Sequence, residues 1–408
     1  MKYSNAKLIQ NFRLKYGKVL LLKSVFIFLI FSCGRADSVE KPIIMPPITV
    51  GAEQLNVYLP LIEGKKVGVV ANQSSLIQQT HLVDALIENK VSIIRVFSPE
   101  HGFRGNADAG EKVNSEVDQE TGLPIVSLYG SNKKPKDDQL SGIDIMIFDI
   151  QDVGVRFYTY ISTLHYVMEA CAENGIPLII LDRPNPNGHI VDGPILDTQF
   201  KSFVGMHQIP ILHGMTIGEY GKMINGEGWL ANKIECELTV ISCKYYNRFD
   251  KYSLPVPPSP NLRSDISIQL YPSLCLLEAT TATVGRGTDG PFERYGHPDF
   301  PKTEFSFIPK SGYGSKHPKF EGKKCNGYNL NHTDYERMDR IDLSFLINAY
   351  SILGEKLFKG KERSFNLLAG NDVLIQQIRD GLSEDEIIAT WQEGLLEFKE
   401  KREQYLLY

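Results

Sequence analysis

The chain has 408 residues, 42% of them hydrophobic, and carries a formal net charge of −5. That length suggests two or three domains with enough apolar content for a full core. The mild acidity, with no basic stripe interleaved with aromatics, argues against nucleic acid as a main partner.

The first 33 residues read as an export signal. Lys2, Lys7, Arg13, Lys15 and Lys18 precede an apolar stretch over residues 19–31, interrupted only by Lys23 and Ser24. The stretch is too short for a convincing membrane span. It closes on Ile30-Phe31-Ser32-Cys33-Gly34, which resembles the bacterial lipobox, where the cysteine is lipidated and becomes the first residue. The plainer alternative is an ordinary signal peptide with an incidental cysteine. On the lipobox reading, residues 34–48, with Pro42, Pro46 and Pro47, form a tether. The mature protein is then exported and held to the cell envelope by a lipid anchor on Cys33.

From residue 49 onward, strand-like and helix-like segments alternate. Residues 65–71 are an apolar run ending at Asn72 and Gln73; residues 80–89 carry Leu82, Val83, Leu86 and Ile87 at helical spacing. Residues 91–98 are short and rich in β-branched side chains, which reads as a buried strand. Pro99 cannot donate to a ladder and ends it; Glu100 and His101 follow, and Gly102 frees the backbone for a turn. A third run, 143–148, ends at Asp149 with Gln151 and Asp152 behind it, and a helix is expected over 162–174. A fourth run, 177–181, ends in Asp182, Arg183, Pro184 and Asn185, before a helix at 216–225 and a strand at 235–242. Near-continuous apolar runs mark strands buried on both faces, and their alternation with helices predicts an α/β fold with a mostly parallel sheet. Four runs deliver acids, amides or an arginine to one rim, where such sheets bind ligands.

Pro255, Pro257, Pro258 and Pro260 then break the pattern. They mark a boundary between a first domain over 49–254 and a second over 255–408, or else stiffen an active-site loop. Beyond them, residues 268–279 look helical and lead to Arg286, set between Gly285 and Gly287, with Asp289 close behind. Two glycines let the backbone approach a ligand and present a planar cation. Residues 300–335 have no readable period. Ser383 and Glu386 form a capping box that opens a helix to about Arg402. The second domain is α/β or α+β. The cysteines after Cys33 are Cys171, Cys236, Cys243, Cys275 and Cys325, an odd set without CxxC spacing. Cys171 fits a helix core, and the strand between Cys236 and Cys243 argues against a bridge.

Glu100, Asp149, Asp152, Asp182 and Asp289 are the carboxylates expected at one cleft. Paired carboxylates suit glycoside hydrolysis, one protonating the leaving oxygen and the other activating water or stabilising an oxocarbenium-like state. A metal site is the rival use of these groups, with His101, His189, His207 or His213, although no HExxH or HxH occurs. No G-x-S-x-G supports a serine nucleophile, and no G-x-G-x-x-G opens a helix, so neither a dinucleotide nor any other cofactor is expected.

The ordered motifs carry a closer likeness. Residues 98–102 (Ser-Pro-Glu-His-Gly), 148–154 (Phe-Asp-Ile-Gln-Asp-Val-Gly), 156–162 (Arg-Phe-Tyr-Thr-Tyr-Ile-Ser) and 181–188 (Leu-Asp-Arg-Pro-Asn-Pro-Asn-Gly) resemble the family once labelled DUF1343. Residues 213–216, 258–263, 284–289 and the closing Tyr405-Leu-Leu-Tyr408 belong to the same pattern, from about Gly64 to the end. The family is that of NamZ-type exo-β-N-acetylmuramidases, which remove N-acetylmuramic acid from non-reducing ends of peptidoglycan fragments. The resemblance implies a Rossmann-like first domain, a smaller second domain and a cleft between them, with a glycan or muropeptide as partner. It makes Glu100 the proposed catalytic carboxylate, here the general acid. His101 is a candidate to orient Glu100, with a backbone-bonded histidine as the alternative; Asp149 and Asp152 are candidate base or orienting groups. Arg286 is the first choice to read the lactyl carboxylate of muramic acid, with Arg156, Arg183 and Arg263 behind it, unless each is tied to a rim aspartate. Asp182, Asn185, Asn72, Gln151 and Asp289 complete the expected substrate contacts. A non-catalytic envelope lipoprotein that binds glycan ends would use the same cleft.

Overall fold

The computed structural model describes residues 46–100, 102–104, 116–331 and 338–408 of the chain. Cys33, with the whole export segment, and His101 lie outside these described residues.

The apolar runs assemble into a seven-stranded sheet. In spatial order it comprises β5 (Glu116–Val117), β6 (Pro124–Ser127), β4 (Ser92–Ser98), β1 (Lys66–Ala71), β7 (Ile145–Asp149), β8 (Leu178–Leu181) and β9 (Leu238–Ile241). Strands β2 (Leu76–Ile77) and β3 (Thr80–His81) form a separate antiparallel ladder. From β6 to β9 all pairs are parallel, and the edge pair β5–β6 is antiparallel. Counted in chain order the six parallel strands run 3-2-1-4-5-6, the Rossmann arrangement, with the switch in direction between β1 and β7.

Why the runs are apolar throughout follows from the layers. Val67, Val69, Ile145 and Ile147 pack with Tyr58 of α1 (Leu55–Ile62) and Leu82 and Leu86 of α2 (Leu82–Glu88). The alternate residues Val70, Met146 and Phe148 join α4 (Tyr160–Glu173) and α5 (Ile217–Gly226) in the other cluster. Both faces of the central strands β1 and β7 are therefore dry. Phe148 is wholly buried, a contribution of roughly 1.5–3 kcal/mol. The short α3 (Asp137–Leu140) precedes β7.

The later half supplies α6 (Asp265–Glu278), a small antiparallel sheet of β10 (Arg294–His297), β12 (Cys325–Asn329) and β11 (Phe305–Phe307), then α7 (Ser344–Leu353), α8 (Glu362–Ala369) and α9 (Val373–Arg379). Within the unreadable 300–335 stretch, β12 is fixed by stacking of Tyr328 on Tyr295, rings 5.1 Å apart, a cross-strand contact that no local period encodes. Phe345, Phe358 and Phe365 share the α4–α5 core, so Pro46–Tyr408 is one compact unit.

Two helix expectations change. The 80–89 helix starts at Leu82, because Thr80 and His81 pair as a strand and His81 Nδ1 accepts the Val83 N–H at 3.2 Å. The capping box forms, with Glu386 Oε2 accepting the Ser383 N–H at 2.8 Å, but the helix splits into α10 (Glu384–Ala389) and α11 (Gln392–Glu403). Trp391 lies at the break and gives its Nε1–H to Asp192 Oδ1 at 2.9 Å, a tertiary bond that the local sequence does not announce. The five cysteines of the described residues are buried and free.

Candidate active site

Beyond Pro99 the chain turns at once. Gly102, at φ +77°, donates its N–H to Pro99 O at 3.2 Å, and Glu100 sits within that turn. Glu100 lines a cavity of about 470 Å3 at the carboxyl ends of β4, β6 and β7. This volume suits a small-molecule site.

One wall is aromatic. Tyr158 and Tyr160, from the segment joining β7 to α4, meet edge to face at 4.8 Å, and Tyr158 gives its hydroxyl to Pro258 O at 2.7 Å. Tyr271 of α6 meets Phe157 at 5.5 Å and Phe292 at 5.1 Å. Tyr129, after β6, donates its hydroxyl to the Glu100 carboxylate; burial, and then the Glu100 charge, pushes its pKa up to about 12. The tyrosine segment is aimed by Gly154 at φ +74°, where a Cβ would come within 2.2 Å of Asn185 Nδ2. The proline-rich stretch belongs to the cavity too, through Ser259 and Leu262.

The other wall is charged. Arg286 makes a two-pronged ion pair with Glu278, Nε to Oε1 and Nη2 to Oε2 (3.1 Å), and its guanidinium lies 5.1 Å from the Phe292 ring centre. Burial works against the Arg286 charge, but Glu278 more than compensates and raises its pKa. Next to this pair, Lys319 Nζ donates to the carbonyls of Glu278, Thr280 and Ala282 at 2.6, 2.8 and 2.9 Å.

Of the residues expected from sequence, Glu100 and Arg286 come together at this cavity. Several others do not line it, and each is engaged by a structural partner. Asp149 and Arg183 form a buried fork, Nε–Oδ1 at 2.6 Å and Nη2–Oδ2 at 2.9 Å, under the rim. Asp182 accepts Thr216 Oγ1 and Tyr408 Oη at 2.7 Å each and the Gly218 N–H at 2.8 Å; burial pushes its pKa up to about 6. Arg156 is wholly buried, its guanidinium spent on the carbonyls of Pro194, Ile209, Leu368 and Ala369 at 2.7–3.0 Å; burial lowers its pKa to about 9. Asn185 braces the loop through Met215 O and the Asn187 N–H, and Gln151 bonds to the carbonyls of Asp152 and Pro184. Asn72 stands behind the wall, donating to Tyr160 Oη at 3.0 Å. Arg263 holds the carbonyls of Pro260 and Tyr313, and Asp289, with an 89% exposed side chain, pairs with Arg294.

Asp152 is also interior. Its Oδ2 accepts the Gly154 N–H at 2.6 Å and lies 3.9 Å from His213 Nε2. Among the described residues, its Oδ1 and that Nε2 have no hydrogen-bond partner. Burial pushes the Asp152 pKa up to about 7 and brings His213 down to about 3, so both groups are neutral in mildly acidic solution and Asp152 begins to ionise near neutrality. His207 and His165 also bond each other, at 3.0 Å, rather than facing Glu100. The cavity residues that sequence reasoning passed over are Tyr129, Tyr158, Tyr160 and Glu278. Tyr158 and Tyr160 belong to the 156–162 motif, in which the arginine is the stronger chemical signal. Glu278 carried one faint signal, an acid closing an apolar helix.

Family models for the N-terminal and C-terminal parts of exo-β-N-acetylmuramidase NamZ match residues 67–266 and 269–408. The chain belongs to the NamZ family. The peptidoglycan β-N-acetylmuramidase NamZ of Bacillus subtilis (strain 168) is 38% identical over 395 residues, 91% of this chain and 94% of that protein. Among solved structures, a DUF1343 family protein of Bacteroides fragilis NCTC 9343 superimposes with a TM-score of 0.82 at 44% identity, covering 89% of this chain and 99% of that one. A second from the same strain gives 0.77 at 26% identity, covering 89% and 100%. Against this NamZ background the Rossmann-like sheet and the C-terminal part with its small antiparallel sheet are family features rather than peculiarities of one chain.

Proposed function

We propose that this NamZ-family protein is an exo-acting glycoside hydrolase that releases N-acetylmuramic acid from non-reducing ends of peptidoglycan fragments. The observation that carries the reading is the cavity itself, which sets Glu100 and Arg286 in one aromatic-walled space of about 470 Å3. Aromatic faces suit the apolar side of a sugar ring, and an arginine suits the lactyl carboxylate that distinguishes muramic acid from N-acetylglucosamine.

Glu100 protonates the leaving glycosidic oxygen, and Tyr129 holds its carboxyl group in place. Arg286 reads the lactyl group: Nε and Nη2 are engaged by Glu278, so Nη1 addresses the ligand. The protein is exported and held in the cell envelope through Cys33, a reading supported by the basic run, the apolar stretch and Ile30–Gly34 in the sequence.

The deciding experiment is mass-spectrometric detection of free N-acetylmuramic acid from a defined muramyl-glucosamine disaccharide. The expected result is release by the wild type and none by folded Glu100→Gln. Binding of the disaccharide without release would leave a glycan-end binder. For Arg286→Ala, an equal loss on muramic and glucosamine substrates overturns its reading role. Metabolic labelling with a fatty acid, lost in Cys33→Ser, tests the anchor.

A further inference from the structure

We propose that Glu278 is the second catalytic carboxylate, facing the anomeric carbon opposite the leaving group protonated by Glu100. This assignment rests on the glycosidase reading and deepens it. Hydrolysis of a glycoside by carboxylates needs two of them across the scissile bond. The rim aspartates do not supply the second. Asp149, Asp152 and Asp182 are buried and do not line the cavity, and Asp289 pairs with Arg294 away from its lining. Among the described residues, the carboxylates lining the cavity are Glu100 and Glu278.

The placement of Glu278 is costly for a merely structural acid. It is the last residue of α6, and the carbonyl end of a helix disfavours a negative charge by roughly 0.3–1 kcal/mol. Two cations offset that cost: Arg286 on the carboxylate, and Lys319, whose ammonium covers the carbonyls of Glu278, Thr280 and Ala282. Even so the carboxylate is not shut in: its side chain is 26% exposed, and Glu278 lines the cavity that holds Glu100. A fixed, charge-compensated and accessible carboxylate is what the step requires.

In that step the bond from the anomeric carbon to the leaving oxygen breaks, and the Glu100 proton goes to that oxygen. The new bond forms with a water oxygen whose proton passes to Glu278. In the retaining alternative, Glu278 itself makes the bond, and a water deprotonated by Glu100 then displaces it. Both versions place Glu278 on the same face, so one test serves.

Wild type, Glu278→Ala, Glu278→Gln and Arg286→Ala are assayed on an aryl β-N-acetylmuraminide, with and without sodium azide. Glu278→Ala is expected to lose turnover on the order of a thousandfold and to regain it with azide, yielding the glycosyl azide of inverted anomeric configuration. Arg286→Ala is expected to raise KM more than it lowers kcat, with no azide product, which separates catalysis from mere orientation of the arginine. Should the alanine variant misfold, the near-isosteric Glu278→Gln decides by its turnover. A loss in Glu278→Gln below about tenfold, or a folded Glu278→Ala that azide does not rescue, overturns the assignment while the glycosidase reading stands. Absence of wild-type release removes both.

Discussion

Tyr408 Oη lies 2.7 Å from Asp182 Oδ2, joining the final residue of the chain to the carboxyl end of β8. The same carboxylate holds Thr216 and Gly218 at the start of α5, and Tyr408 Oη accepts the Cys243 N–H at 2.7 Å. Arg248 takes the Tyr408 carbonyl from the other side. The closing motif is thus a clasp over the sheet rather than a trailing end.

Tyr408→Phe deletes the hydroxyl that serves two buried partners, and such losses cost about 1–3 kcal/mol. The expected outcome is a lower urea midpoint with turnover per folded molecule unchanged, since the clasp is not at the cavity wall. Turnover falling in step with hydroxyl loss, at unchanged stability, contradicts a purely structural clasp.

The Asp149–Arg183 fork makes a different prediction. Removing one partner leaves a buried charge unpaired, so Arg183→Met alone is expected to cost roughly 3–5 kcal/mol. Asp149→Leu combined with Arg183→Met should cost less than either single change. A double-mutant cycle by chemical unfolding checks this; additive losses would mean that the two side chains do not depend on each other.

Asp152 gives stability a pH slope of known sign. At low pH both folded and unfolded chains hold its proton. As the pH rises, the unfolded chain releases it near the ordinary value of 3.8, and the folded one only near 7. Stability from this group therefore declines across that window and levels off above it. Asp152→Asn cannot titrate and keeps an acceptor for the Gly154 N–H. Its unfolding free energy relative to wild type should rise by on the order of 2–4 kcal/mol between about pH 4 and 7. A flat difference across that range refutes the account.

Buried histidines act in the opposite sense. His213 and His165 are lowered by burial to about 3 and about 4, so below pH 6.5 the unfolded chain takes up protons that the folded one refuses. The stability contributed by these two groups should fall as the pH drops from 6.5 toward 4. His213→Asn is expected to flatten part of that fall, read from thermal unfolding at several pH values.

Gly154→Ala tests the aim of the tyrosine wall. A Cβ at φ +74° is strained and would meet Asn185 Nδ2 at 2.2 Å, a combined cost of about 2 kcal/mol or more. Because Tyr158 and Tyr160 follow within six residues, the expected result is a raised KM as well as lowered stability. Unchanged KM would show that the wall is positioned by other contacts.

The sequence by itself determined five strands of the main sheet, their parallel pairing and their polar rim, because burial on both faces writes itself locally as unbroken apolar runs, whereas the short β5 and β6 carry no such run. It also placed Glu100, since a proline that stops a strand fixes where the next residue emerges. Only the tertiary structure decided which rim groups reach the cavity. Asp149 meets Arg183 across 34 positions and Asp182 meets Tyr408 across 226, and partners so distant leave no trace in any periodicity. Glu278 shows the converse. Its role depends on where α6 ends relative to β4, and that distance is set by how the chain packs, not by any spacing along it.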